Sequence, residues 1–267
     1  MDLTILFSPL DESVYQDATH VHSFYKSIRV YGEKMPDYRG AHIAIFGVKE
    51  SRGSSNNQGA SEGPDHIRKK LYSLRKGTGT WNIVDLGNLN PGIDLDETYV
   101  RISEVVRILL ENNVLPILLA GTHDLDFGQY RGYEEMNKLV SLLNIDAFLD
   151  LEEKGEAKES KQHIHKILLH EPNYLFSYTH LAHQLYLIDP MAASILEKLY
   201  FEAYRLGHMR TNLAEMEPAV RNADMMSFDI TSIKSADAPG NANAQPFGLT
   251  GEEACQLCWY AGQNEKL

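Results

Sequence analysis

Apolar and polar positions run along this chain in blocks, and the period changes from block to block. AHIAIFGV at 41–48 and VLPILLA at 114–120 are short runs with almost no polar side chain. Such runs suit strands buried on both faces of a parallel sheet. NIVDLG at 82–87, IDAFLDL at 145–151, NYLFSY at 173–178, QLYLID at 184–189 and DMMSFDI at 224–230 predict further strands. Between the strands the period becomes helical. DETYVRISEVVRILLENN at 96–113 sets Val100, Ile102, Val105, Val106, Ile108, Leu109 and Leu110 on a helical stripe. PDHIRKKLYSL at 64–74 has Pro64 in its first turn, where a missing N–H costs nothing. YEEMNKLVSLL at 133–143, KQHIHKILLH at 161–170, MAASILEK at 191–198 and MRTNLAEMEPAVRN at 209–222 also predict helices, and LYFEAYRLG at 199–207 fits either state. TGEEACQLCWYAG at 250–262 predicts a helix opened by a Thr250–Glu253 capping box.

Strand and helix alternate along most of the chain. The fold class expected is therefore α/β, a three-layer sandwich with a mainly parallel sheet. Residues 1–40 are mixed and polar and are expected to form an N-terminal extension, with the α/β domain over 41–267. ESRGSSNNQGASEGP at 50–64 is a long Gly/Ser/Asn loop inside that domain, without a Walker lysine or Rossmann spacing.

Bulk properties narrow the function classes. A formal net charge of -12 argues against nucleic acid as a partner, because phosphate binding needs clustered Lys and Arg. No apolar run approaches the ~20 residues needed to span a bilayer, so no membrane partner is expected. The start shows neither the basic region nor the apolar stretch of a signal peptide. Cys255 and Cys258 are the only cysteines, too few for a disulfide framework. A reducing, cytoplasmic setting is the expectation. Cys255 and Cys258 fall mid-helix and are expected to pack into the core. The pairs His163/His165 and His180/His183, the latter on one helical turn, are expected to serve surface or capping roles.

In open α/β sheets, ligands bind beyond the carboxyl ends of the strands. Gly121-Thr122-His123-Asp124 follows VLPILLA, Asp150-Leu151-Glu152-Glu153-Lys154 follows DAFL, and Asp229-Ile230-Thr231 follows MMSF. Histidine with carboxylates suits Mn, Fe or Zn, and carboxylates alone suit Mg or Mn. A strand-terminal Asp also serves as a helix N-cap, and a lone His as a hydrogen-bonded structural residue, so both readings stand.

SFDITSIKSADAPG at 227–240 resembles the SFDxDxxDPxxAPG motif of the arginase/agmatinase/formimidoylglutamase (ureohydrolase) family. LAGTHD resembles its GGDHS motif, FLDLEEK occupies the place of its DAHxD motif, and FGLTGEEA resembles its GGLTxxEA segment. IAIFGVKESRGSSNNQGASEGPDHIRKKLYSL resembles its first strand, Gly-rich loop and helix. The motifs keep the family's order over roughly 41–263. The resemblance implies two Mn ions sharing carboxylates, with an activated water attacking a guanidinium or formimidoyl carbon. By this alignment His123, Asp150 and Asp229 match metal ligands. Glu152 stands for the His of DAHxD, Lys154 for its second Asp, and Thr231 for the second Asp of SFDxD. Asp124 stands for a serine, Thr122 for the Asp of GGDH, and Lys234 for the Asp of the DP pair.

An ammonium at Lys154 has no lone pair to give a metal and would neutralise the carboxylates instead. The expectation is thus a ureohydrolase-family protein, formimidoylglutamase- or agmatinase-like, whose binuclear Mn site is degraded. It would be catalytically impaired, or a homologue that binds a ligand or partner. The alternative is an active hydrolase of C–N bonds in linear amidines with an altered site built from His123, Asp150, Glu152 and Asp229. A purely structural subunit is a third reading. The resemblance further implies a small amidine or guanidine ligand and a homo-oligomer. The family continues past the GGLTxxEA helix with a last strand and helix, so the expectation is either that the sequence is cut short or that the sheet lacks its last strand, in which case the strand at that edge would need cover from a partner subunit.

Overall fold

The computed structural model describes residues 3–54, 56–152, 159–264 and 266. The chain divides into two compact units, Met1–Met136 and Asn137–Leu267.

The first unit contains β1 (Phe7–Ser8), β2 (Arg29–Val30), β3 (Ile43–Val48), α1 (Gly63–Ser73), β4 (Ile83–Leu89), α2 (Leu95–Glu111), β5 (Leu115–Ala120) and α3 (Asp126–Glu135). Its sheet runs β1-β4-β3-β5, with β2 also on β4. β3 is parallel to both β4 and β5, and only β1 is antiparallel. Nearly every residue of β3 and β4 is buried, so both faces of these strands are covered, as in a sheet between helix layers. α2 starts on Asp94, whose carboxylate accepts the Glu97 N–H. β5 departs from expectation: it forms, but Ile117 is 38% exposed. It is an edge strand of its sheet, and Pro116, which cannot donate to a ladder, is tolerated at an edge.

Residues 3–40 pack closely on this unit. Leu10, Val14 and Ala18 bury against Tyr72 of α1, and Tyr15 stacks on Tyr25 with ring centroids 4.9 Å apart. Beneath them Arg68 and Asp85, both without solvent exposure, form an ion pair at 2.8 Å. Asp85 also accepts from the Tyr72 hydroxyl at 2.8 Å, and Arg68 donates to Asn88 Oδ1 and the Gly87 carbonyl.

The second unit contains β6 (Val140–Ile145), α4 (His163–Leu169), β7 (Leu175–His183), α5 (Pro190–Lys198), β8 (Glu202–Arg205), α6 (Leu206–Thr211), α7 (Glu217–Asn222), β9 (Met225–Phe228) and α8 (Gly251–Ala261). The sheet order is β8-β7-β6-β9, parallel throughout. Leu143, Ile145, Leu181, Met209, Val220 and Leu257 lie in one buried cluster.

Several boundaries differ from the sequence reading. The helix expected at 133–143 instead ends at Glu135, and the strand expected at 145–151 is β6, at Val140–Ile145. Asn137, at φ 53°, takes the left-handed conformation that closes helices, which separates α3 from β6. Met136, Val140 and Leu143 satisfy a helical period as well as a strand run, and short apolar runs do not distinguish the two. The strand expected at 173–178 is β7, which runs on to His183, and the strand expected at 184–189 does not form, since residues 185–187 make a single 3-10 turn. The helix expected at 209–222 breaks at extended Asn212 and restarts with Pro218 in its first turn. The capping box of α8 is present: Glu253 N–H donates to Thr250 Oγ1 at 3.1 Å, and Thr250 N–H to Glu253 Oε2 at 2.7 Å. Cys255 and Cys258 sit on the exposed face of that helix, not in the core, beside half-exposed Trp259. Ala254, Leu257 and Tyr260 form its buried face. Among the described residues no helix is long and apolar enough to cross a membrane.

Candidate metal centre

β6 and β9 are neighbours whose last residues pair, Ile145 with Phe228. The residues that follow, Asp146 and Asp229, therefore leave the sheet at the same level. A carboxylate oxygen of Asp146 lies within 4.8 Å of one from Asp229. Asp146 is 1% exposed. Asp229 caps the turn after β9, accepting the Thr231 N–H at 2.7 Å. The Thr231 hydroxyl donates to Asp146 Oδ1, and Phe148 N–H donates to the same oxygen at 3.2 Å. One face of the Asp146/Asp229 pair is thus taken by donors from the chain itself.

Asp150 is buried and holds φ at 50°. A left-handed backbone at a non-glycine residue is strain of the kind that concentrates at functional sites. Its Oδ2 lies 3.5 Å from Nδ1 of His163, which has no exposed surface. β7 borders the same region: Asp146 N–H donates to the Leu181 carbonyl, and Gln184 N–H to the Ala147 carbonyl. His180 is fully buried, with Nε2 3.1 Å from the Asp146 carbonyl and Nδ1 2.8 Å from the Tyr178 hydroxyl. His183, at the end of β7, is nearly as buried, and its Nδ1 has no hydrogen-bond partner among the described residues. Burial, and secondarily Arg205, push its pKa down to about 4, so it is neutral at physiological pH.

In the first unit, β5 delivers Gly121-Thr122-His123-Asp124. His123 Nε2 is 3.0 Å from Asp126 Oδ2. Asp124 accepts the Tyr99 hydroxyl at 2.8 Å and is 1% exposed, so it is tied into the packing of α2. The Gly/Ser loop lies directly against this turn. A Cβ at Gly53 would collide with the Asp124 carboxylate, and one at Gly121 with the Ala60 carbonyl.

Against the sequence reading, the main correction concerns register. Because β6 ends at Ile145, the segment that follows the strand is Asp146-Ala147-Phe148-Leu149-Asp150. DAFLD has the spacing of DAHxD with Phe148 in the place of the histidine. Read in that register, Asp146 takes the place of the first Asp of the motif and Asp150 that of the second. Glu152 is exposed and lies 3.5 Å from Lys161. Lys154 and Glu153 lie outside the described residues, and in this register Lys154 is not at a ligand position. Asp229 and Thr231 lie next to Asp146. The histidine pairs also differ from expectation. His163 is buried beside Asp150, and His180 and His183 lie in and at the end of a strand, not on a helical turn at the surface. Two motif spacings fit residues 146–154, and only the strand boundary decides between them.

Chemically, close carboxylates such as Asp146 and Asp229 repel, and a divalent cation relieves that repulsion. Buried oxygens with an imidazole suit Mn2+, and the residues present therefore fit a metal of this class.

A profile of the Arginase family matches residues 41–267. The formimidoylglutamase of Streptococcus gordonii is 26% identical over 247 residues, covering 85% of this chain and 75% of that protein. The formimidoylglutamase of Lysinibacillus sphaericus is 25% identical over 264 residues, covering 90% and 78%. Among solved structures, formiminoglutamase from Trypanosoma cruzi with Mn2+ matches at a TM-score of 0.79 and 22% identity, covering 86% of this chain and 84% of that one. Formimidoylglutamase from Bacillus subtilis matches at 0.76 and 17% identity, covering 88% and 79%. These likenesses show the arginase-like α/β fold, and the match over residues 41–267 places the chain: it belongs to the arginase family.

Proposed function

We propose that this is a formimidoylglutamase-like family member whose centre holds one divalent cation, Mn2+ by analogy with its relatives, where the family's chemistry uses two. Asp146, Asp150 and Asp229 would hold it. His123, in the first unit, is the position that matches the family's histidine ligand by motif alone. Two ligand positions of that pattern are filled by side chains that serve a metal poorly: a benzyl ring at Phe148 and a hydroxyl at Thr231. The observation that carries the reading is the Thr231 hydroxyl donating to Asp146 Oδ1, a hydrogen bond where the family has a carboxylate ligand. Three carboxylates can serve one Mn2+, with water completing the shell, but are too few for two.

A bound Mn2+ polarises what it contacts and favours deprotonation of water there. With one ion, hydrolysis of C–N bonds in linear amidines is expected to be impaired, and the site then serves chiefly to bind a small amidine or guanidine ligand. Self-association is part of this proposal by family resemblance alone. The second reading is a working hydrolase with an altered centre, and the retention of Asp146 and Asp150 at the motif's spacing favours it.

Elemental analysis after incubation with Mn2+ and desalting tests the reading. One equivalent per chain is expected. Two equivalents would move the conclusion to a binuclear enzyme, and none would remove the metal altogether. Release of formamide, ammonia or urea from formimidoylglutamate, agmatine, arginine and guanidinobutyrate, with and without Mn2+, then separates an impaired centre from an active one.

A further inference from the structure

We infer that His163 is a metal ligand that replaces the imidazole lost at Phe148. The inference rests on the one-metal reading above and names a residue outside the family's ligand positions.

His163 is the first residue of α4 and is fully buried, while its neighbour His165 is not. Its Nδ1 faces two oxygens, Asp150 Oδ2 at 3.5 Å and the Ser160 carbonyl at 3.3 Å. Both are longer than the ~2.9–3.0 Å of a good N–H···O bond, and one ring hydrogen cannot serve both well. Two donor atoms bound to one ion at about 2.0–2.2 Å stand roughly 3.0–3.6 Å apart. The Asp150–His163 separation therefore suits two ligands sharing a cation better than it suits a hydrogen bond. The carboxylate end is fixed as well, because Asp150 keeps its left-handed turn at φ 50° immediately before the segment that leads to α4. Neutral imidazole is the same donor type that DAHxD supplies in relatives, here delivered from a helix instead of from the strand end. The exchange leaves the donor chemistry of the centre unchanged and moves the nitrogen away from the Asp146/Thr231 side, toward Asp150.

The test uses the full chain loaded with Mn2+ and counts coordinated histidine nitrogens by pulsed EPR, comparing natural-abundance with 15N-histidine protein. Wild type is expected to show an imidazole coupling from His163 that is lost in His163→Gln. The Mn2+ dissociation constant should rise at least tenfold in that variant, with the far-UV circular dichroism unchanged. A wild-type count of two that falls to one in His163→Gln would equally support His163, with one further histidine on the ion. A count that His163→Gln leaves unchanged overturns the inference, even if affinity falls, because His163 would then only position Asp150. In that case the one-metal reading stands. If wild type takes up no Mn2+, both fall.

Discussion

On the one-metal reading, Phe148 and Thr231 are the two positions at which the family pattern lacks a ligand, and both can be reversed. Phe148→His combined with Thr231→Asp is expected to raise Mn2+ uptake from one to two equivalents per chain by elemental analysis. Phe148→His alone should not, because it leaves the carboxylate at 231 missing, whereas Thr231→Asp alone should suffice where His163 already supplies the imidazole. The double variant is also the one in which amidine hydrolysis should rise. A second residue-scale prediction concerns His183. In the folded chain it stays neutral down to a pKa of about 4, whereas its ordinary value is 6.5. Between those values the unfolded chain holds more protons than the folded one, so stability rises with pH through this window and falls on acidification. His183→Gln should flatten the dependence by up to one proton, read from urea midpoints across the window. An unchanged slope would mean that the ring is hydrated.

Elements carry most of the stability, and the clearest case lies under the N-terminal layer. Arg68 on α1 and Asp85 on β4 are both fully buried and paired. Arg68→Leu would strip the enclosed Asp85 carboxylate of its guanidinium partner, leaving the Tyr72 hydroxyl and the Gly87 N–H as its donors among the described residues. A loss of about 3–5 kcal/mol is expected by urea denaturation, as for other buried pairs broken on one side. At this scale the sequence was informative where the period was long or the chemistry explicit. α2 and the capping box of α8 stand close to where their patterns put them. The strand after α3 did not, because Met136 to Leu143 fits two periods and the closing signal is the backbone angle of one asparagine. That shift of register had consequences for the site. With the strand ending at Ile145, the first residue beyond it is Asp146, which the sequence reading had placed inside the strand. His163 was invisible for a different reason. Its proximity to Asp150 comes from tertiary packing across residues distant in the motif, and no spacing rule encodes it.

For the molecule as a whole, residues 3–40 pack as part of the first unit. Leu3, Phe7, Leu10, Val14 and Ala18 are all buried. Each large apolar side chain among them contributes roughly 1.5–3 kcal/mol of burial, against a typical net stability of ~5–15 kcal/mol. A chain begun at residue 41 is therefore expected to be unfolded or aggregated, seen as loss of the far-UV signal and a void-volume peak in size exclusion. A soluble, cooperatively folding product would show that the layer is dispensable.

The chain has two tryptophans, and the division of the fold gives one to each unit: Trp81 beside His42 in the first, and Trp259 on α8 in the second. Both are a little over half exposed. Intrinsic fluorescence therefore comes from two separable lamps. Trp81→Phe leaves emission from the unit that holds Asp146, Asp150, His163 and Asp229, and Trp259→Phe leaves emission from the unit that holds His123. Recording denaturation of each single-tryptophan chain shows whether the two halves melt as one body or in sequence, and which half Mn2+ protects.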